Sequence, residues 1–319
     1  MGLKIKKKVV FIGAGYMSNE HIKVFKNLRE KFSIKGIYNR TKSKSLTLSK
    51  KYKIPYVAAS IEDLYKTCHA DLVVISINEV KVYKILQEVL KFPWKIMIEK
   101  PVGYNFKNAQ KIYSLVKKRK RLNDIKVALN RRNYPSTLTA LKQLKNLKSN
   151  RIVNINDQQN TNDPALKKKS RLISKNLMYC NSIHLVDYFN IFCRGNLIKI
   201  KNLIKVKKNK SSLVISHLKF SSGDIGVYKC VWNKPSPWSI CITTAKRYFE
   251  FKPLESLVLR KNFSKKTVKP KIINQEPKSF KTGLTNQAIE IYKFLFNKKN
   301  NLVSLDESLN TMKIIKKIY

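Results

Sequence analysis

Val9-Val10-Phe11-Ile12-Gly13-Ala14-Gly15-Tyr16-Met17-Ser18 decides how the chain begins to fold. Four consecutive apolar residues make a short strand buried on both faces, which needs no polar alternation. Gly13 allows a tight turn at its end. Gly15 lets backbone approach a diphosphate at the start of the next helix, where free amides and the helix dipole favour anions. Ser18 stands where the third glycine of G-x-G-x-x-G belongs and is small enough to keep helix and strand close. Gly13, Ala14, Gly15, Tyr16 and Met17 are therefore the candidate seat of a dinucleotide; a plain glycine turn is the alternative.

Outward from that turn, apolar runs alternate with helical stretches. Helices are predicted over 21–28, 43–52, 61–65, 80–90 and 108–118, and strands over 34–38, 56–58, 71–75, 95–98 and 125–129. Alternation with short connections implies right-handed crossovers and a doubly wound parallel sheet, an α/β Rossmann domain over residues 1–133. After Asn133 the rhythm changes. A helix over 136–147, a strand over 151–156 and a polar loop over 158–175 lead to a helix over 182–192. Strand then follows strand from 198 to 251, with a turn at Ser221-Ser222-Gly223-Asp224, before helices over 285–296 and from 305 onward. That pattern predicts an α+β domain over 134–319 with a large, mostly antiparallel open sheet.

At the end of the second strand an NAD-binding protein usually has an acid for the ribose hydroxyls. This chain has Asn39-Arg40-Thr41-Lys42. A guanidinium with nearby hydroxyls suits a 2′-phosphate, so Asn39, Arg40 and Thr41 favour NADP over NAD. The alternative is an arginine that merely faces solvent.

Composition bounds the rest. The 319 residues carry a net charge of +48, with Lys far above Arg and spread over nearly every segment. Such a balance suggests polyanions, but scattered lysines read better as a solvated surface, so no specific nucleic-acid partner is expected. The densest runs, Lys117-Lys118-Arg119-Lys120-Arg121 and Lys205 through Lys210, fall at an expected helix end and an expected strand-to-strand turn. No stretch approaches the roughly 18 apolar residues of a membrane span. The basic start before Val9 imitates a secretory signal with too short an apolar core, and Met1-Gly2 is followed by Lys6 where a myristoylation signal wants Ser or Thr. A soluble, cytoplasmic protein with no membrane partner is the expectation. Five cysteines without a C-x-x-C pair and four scattered histidines predict neither a disulfide framework nor a metal site.

Further motifs point one way. Glu99-Lys100-Pro101 closes a strand, and His21 lies six residues beyond Gly15. Asn181-Ser182-Ile183-His184-Leu185-Val186-Asp187 sets a histidine and an aspartate one helical turn apart, and Arg131-Arg132-Asn133-Tyr134-Pro135 follows the last strand of the first domain. In these features, and in the order of its elements from end to end, the chain resembles the Gfo/Idh/MocA oxidoreductases. Its late segment, Arg247-Tyr248-Phe249-Glu250-Phe251-Lys252-Pro253-Leu254-Glu255, resembles a branch associated with surface-polysaccharide sugars.

The resemblance implies an NAD(P)-dependent oxidoreductase acting on a sugar hydroxyl or carbonyl. By it, Lys100 lies beside the nicotinamide and the reacting carbon, and Glu99 touches the cofactor side. His184 is the general acid/base, and Asp187 either orients it or pairs structurally. It also implies a homo-oligomer, because sheet faces of the second domain commonly pair in such proteins. Two departures stand out. Cys180 occupies the place where many members carry an aspartate four residues before the histidine, and a thiol does not replace a carboxylate at neutral pH unless its pKa is lowered. Asn181 is the candidate polar substitute. The usual proline-containing stretch after the fourth strand is Ser76-Ile77-Asn78-Glu79, where backbone at Ser76 and Asn78 can still line the cofactor. Arg131, Arg132 and the Lys167-Lys168-Lys169 stretch suggest an anionic sugar. The competing readings are a cofactor-binding regulatory protein that has lost its chemistry, for which Cys180 speaks, and a polyanion binder.

Overall fold

The apolar run 9–12 forms the buried end of strand β1 (Lys7–Ile12). The structure, a computed structural model, describes residues 5–163, 166, 170–205 and 212–319. The chain divides into two units, Met1–Gly103 with Lys107–Asn130 and Glu276–Leu309, and Tyr104–Phe106 with Arg131–Gln275 and Asn310–Tyr319.

In the first unit β1 is followed by α1 (Tyr16–Asn27), β2 (Phe32–Tyr38), α2 (Lys42–Tyr52), β3 (Tyr56–Val57), α3 (Ile61–Cys68), β4 (Leu72–Ile75), α4 (Val82–Val89), β5 (Lys95–Glu99), α5 (Phe106–Lys118) and β6 (Ile125–Ala128). The six strands are parallel and lie in the order β3-β2-β1-β4-β5-β6. This is the doubly wound sheet that the alternation predicts. Its order reverses between β1 and β4, and ligands bind at the carboxyl ends of strands at such a reversal. Gly13, Ser76 and Lys100 stand just past the ends of β1, β4 and β5. Val9, Phe11, Ile22, Phe25, Leu72, Val74 and Met97 share one core, with Phe11 and Phe25 meeting edge to face at 5.8 Å. Helix α1 begins at Tyr16, ahead of the apolar stripe over 21–28, because Gly15 is its N-cap and the first turn is largely polar.

The second unit contains α6 (Pro135–Leu144), β7 (Ile152–Gln159), α7 (Arg171–Lys175), α8 (Leu177–Cys180), α9 (Ile183–Phe192), β8 (Leu197–Ile204), β9 (Leu213–Phe220), β10 (Ile225–Trp232), β11 (Ser239–Thr243), β12 (Arg247–Phe251), β13 (Val258–Lys261) and β14 (Thr267–Val268). Its sheet runs β14-β13-β12-β11-β7-β10-β9-β8. Among the described strands of this sheet only β7 and β10 pair in parallel; the other neighbours are antiparallel. Burial alternates along β7, β9 and β10, the mark of a sheet covered on one face. Helix α9, whose Tyr188, Phe189 and Phe192 are wholly buried, packs on β7.

Strand β7 outruns its predicted end at Asn156, because the polar residues Asp157 and Gln159 are buried and hydrogen-bonded rather than looped out. Two short helices, α7 and α8, occupy much of 171–180, where composition predicts loop up to 175. The Lys167-Lys168-Lys169 stretch and residues 206–210 of the second lysine run lie outside the described residues.

The chain then gives α10 (Leu284–Leu295), β15 (Val303–Ser304) and α11 (Leu305–Ile318). Strand β15 pairs antiparallel with β6, and Leu284, Ala288, Ile291 and Phe294 enter the core that holds Val9 and Phe25. This corrects a division into 1–133 and 134–319. Residues 276–309 return to the first unit because the outer edge of β6 and the apolar side of α1 are covered by them. Among the described residues no helix is long and apolar enough to cross a membrane, and no three His, Cys, Asp or Glu side chains gather as metal ligands.

Candidate functional site

The residues read as cofactor contacts meet at the carboxyl edge of the first sheet. Gly13 has φ +110°, and a Cβ there would lie 2.1 Å from the Ser76 carbonyl oxygen. Its amide donates to the Tyr38 carbonyl at 2.8 Å, while the Ser76 amide donates to Ile12 at 2.9 Å. The turn is thus held between the ends of β2 and β4. Ser18, wholly buried, aims its Oγ at the same Ser76 carbonyl at 3.5 Å, so the third-glycine position does serve close packing of helix on strand.

Gly15 caps α1 with φ −93° and ψ −170°. No side chain caps the helix, and its first turn has no acid. A Cβ built on Gly15 meets nothing within 4 Å. A helix start with uncapped amides and open space above them fits a diphosphate. The Ser76 hydroxyl at the same edge is buried without a hydrogen-bond partner among the described residues. Arg40 and Thr41 are exposed past the end of β2. Asn39 donates to the Thr41 carbonyl at 2.9 Å, and Thr41 caps α2 without a side-chain bond. Asn78 accepts from the Val80 amide at 3.0 Å, bending the chain after β4.

Glu99 ends β5. Its Oε1 lies 2.7 Å from His21 Nε2, with 2% of the His21 and 10% of the Glu99 side chain exposed. The other oxygen accepts from the Lys100 amide at 3.2 Å. His21 carries no role in the sequence reading, yet it fixes the carboxylate next to Lys100. Spacing alone hints at it, since His21 falls on the buried side of α1.

In the second unit, His184 sits in the first turn of α9, and the residues before it are tied to the end of β7. Asn181 Nδ2 donates to Gln159 Oε1 at 3.1 Å, and Gln159 Nε2 donates to Ser182 Oγ at 2.7 Å. Behind them Asp157, wholly buried, accepts from Tyr228 at 2.6 Å and from Gln159 at 3.3 Å. Burial pushes the Asp157 carboxyl up, and its hydroxyl and amide donors oppose that. Burial, with the neighbouring Asp157, holds the Tyr228 phenol well above its usual range.

The same strand end holds Trp238, whose Nε1 donates to the Gln158 carbonyl at 3.3 Å. The Arg131 guanidinium stacks 4.5 Å over that indole. Its Nε and Nη1 are buried without a hydrogen-bond partner among the described residues. Arg131 and Asn181 are therefore linked through the end of β7, and the His184 amide donates to the Asn181 carbonyl at 3.3 Å. Gln159 and Trp238, which join them, give no local sequence signal.

Arg132 and Asp187 find each other instead. They form a bidentate ion pair, Nε–Oδ2 and Nη2–Oδ1 both at 2.7 Å, and Thr311 also donates to Asp187 Oδ1 at 3.0 Å. Where the sequence suggests a substrate contact for Arg132, its guanidinium fork grips a buried carboxylate. Of the two readings of Asp187, the structural pairing is the one its bonds support. Cys180 is buried at the end of α8.

Residues 7–126 match the Gfo/Idh/MocA model, an oxidoreductase family with an NAD-binding Rossmann fold. No curated protein matches the chain. Among solved structures, UDP-N-acetylglucosamine 3-dehydrogenase GnnA from Acidithiobacillus ferrooxidans is similar at 11% identity, covering 98% of this chain and 97% of that one, with a TM-score of 0.77. Aldose-aldose oxidoreductase from Caulobacter crescentus is similar at 16% identity over 99% and 97% of the two chains, with a TM-score of 0.81. Levoglucosan dehydrogenase, solved with NADH and levoglucosan, is similar at 13% identity over 98% and 96%, with a TM-score of 0.80. At such identities the likeness establishes the fold: a Rossmann domain joined to a domain built on a mostly antiparallel sheet.

Proposed function

We propose that the chain is an NAD(P)-dependent oxidoreductase of the Gfo/Idh/MocA family that moves a hydride to or from a carbon of a sugar or sugar derivative. The observation that carries this reading is the uncapped glycine turn before α1, with the His21–Glu99 pair and Lys100 at the end of β5. Gly13, Ala14, Gly15, Tyr16 and Met17 would hold the diphosphate. Ser76, Asn78 and Glu99 would line the cofactor, and Asn39, Arg40 and Thr41 would take its adenosine ribose. The exposed Arg40, in place of an acid, supports NADP over NAD.

The nicotinamide, when bound, supplies the hydride or accepts it. The chain's own work is to place the sugar and handle one proton. The Lys100 ammonium would stabilise negative charge developing on the sugar oxygen, and the His184 imidazole, which can both give and take a proton, would serve as the general acid/base. Asp187 acts through α9, which its pair with Arg132 anchors. Arg131, stacked on Trp238 with guanidinium nitrogens left over, supports an anionic sugar such as a nucleotide-linked sugar or a sugar acid, and the resemblance of 247–255 agrees with a polysaccharide precursor. We place the protein in the cytoplasm, as a homo-oligomer pairing through the less buried face of the second sheet.

The test is turnover, followed by NADPH absorbance across a panel of neutral, nucleotide-linked and acidic sugars. Lys100→Ala should cut turnover by about 10²-fold or more while the dinucleotide still binds. Undiminished turnover would remove Lys100 from the mechanism. Cys180 favours a second reading, a cofactor-binding regulator without chemistry. Intact dinucleotide binding with no turnover on any sugar of the panel would favour that reading.

A further inference from the structure

The return of the chain to the first unit brings a lysine to the glycine turn. Lys281 Nζ lies 3.5 Å from Met17 Sδ and 5.2 Å over the Tyr16 ring. The segment carrying it is fixed from several sides. Phe280 packs against the same core as Ala14 and Met17, and Asn130 Nδ2 donates to the Thr282 carbonyl at 2.8 Å. The Glu276 carboxylate accepts from the backbone amides of Gly283 and Asn286, the latter at 2.6 Å, which caps the start of α10. The loop is anchored, while the ammonium itself rests on weak partners among the described residues, a thioether and an aromatic face. Each is worth about as much as a surface contact, so the ammonium can turn to a better acceptor without disturbing the fold.

Among the described residues no carboxylate pairs with Lys281. The α1 first turn has no acid, no side chain caps it, and the space above Gly15 is open. The Ser76 hydroxyl beside the turn is buried without a hydrogen-bond partner among the described residues. A cation, uncapped amides and an unsatisfied hydroxyl around one opening are complementary to an anion with several oxygens. Resting on the reading of this turn as a dinucleotide seat, we infer that Lys281 is a positioning residue for the cofactor's diphosphate. It moves from Met17 and Tyr16 onto a phosphate oxygen and fixes the dinucleotide along the strand ends. The ligand class it selects is a dinucleotide or any adenosine diphosphate derivative.

The experiment is a binding titration of the full chain with NADPH, with ADP-ribose by displacement of NADPH, and with adenosine, which has no phosphate. Lys281→Ala should weaken NADPH and ADP-ribose alike by about ten- to a hundredfold, the range for a lost charge-assisted hydrogen bond. Lys281→Arg should recover most of that, and adenosine affinity should not change. Lys278→Ala, an exposed lysine three residues away, should stay within about twofold, which separates a specific contact from the pull of a net charge of +48. If the native chain binds NADPH and Lys281→Ala binds it equally well, the lysine only packs on Tyr16 and the inference falls. If the native chain binds no dinucleotide at all, the reading of the turn itself falls, and the inference with it.

Discussion

Gly13 and Gly15 stand two residues apart and do different physical work. Gly13 needs both its positive φ and its missing side chain, since a methyl group would strike the Ser76 carbonyl. Gly13→Ala should therefore lower stability by about 2 kcal/mol or more, from backbone strain and the clash together. A denaturant midpoint close to that of the native chain would contradict this. Gly15 has ordinary extended backbone and empty space at its Cβ, so the fold itself does not require a glycine there. This much was legible in the sequence, because turn chemistry is local. What could not be read was pairing across the chain. His21 meets Glu99 78 residues away, and Arg132 meets Asp187 55 residues away. A sequence shows that each of these residues can bond and not which partner the fold brings. The pairing of Arg132 with Asp187 was not foreseen for that reason, whereas Arg131, one residue earlier, turns to Trp238 instead of a carboxylate.

At the scale of elements, the turn between β9 and β10 shows how a buried charge organises this protein. Asp224, wholly buried, accepts from the Arg151 and Arg194 amides at 2.8 Å each and from the Arg194 guanidinium at 2.9 and 2.7 Å. Burial alone would push its carboxyl up, but the Arg194 and amide donors outweigh that and hold it below the usual range. A carboxylate with a depressed folded pKa stabilises the native state above its unfolded value, near 3.9, and loses that contribution as pH falls through the folded value. Stability from this site should thus be full at neutral pH and fade only below about pH 4. Asp224→Asn should cost about 3 kcal/mol at pH 7 and flatten the acid limb of the stability curve. An unchanged acid limb would show that the pair carries no such linkage. The sequence marks this turn through Ser221-Ser222-Gly223-Asp224 but says nothing of Arg194. The polar end of β7 was missed for a related reason. Asp157 and Gln159 look like loop residues until the bonds to Tyr228 and Ser182 are known.

For the whole molecule, the alternation of apolar runs and helices was enough to predict both sheets, but not that residues 276–309 rejoin the first one. That return supplies β15, part of the core and Lys281, so the first unit is built from both ends of the sequence. Charge acts at this scale as well. A net charge of +48 attracts any phosphate-bearing molecule at low salt, so binding must be measured near 0.3 M salt, where the Debye length falls to roughly 5–6 Å and non-specific attraction fades. Under that condition, the most direct test of a dinucleotide on the Gly13 turn is a fluorescence titration of NADPH with the native chain and with Gly15→Asp. Aspartate is a favoured N-cap and has room there, so the variant should melt no lower than the native chain. Its carboxylate would stand where the diphosphate belongs, so NADPH binding should be lost. A folded Gly15→Asp chain that still binds NADPH with native affinity would contradict the account.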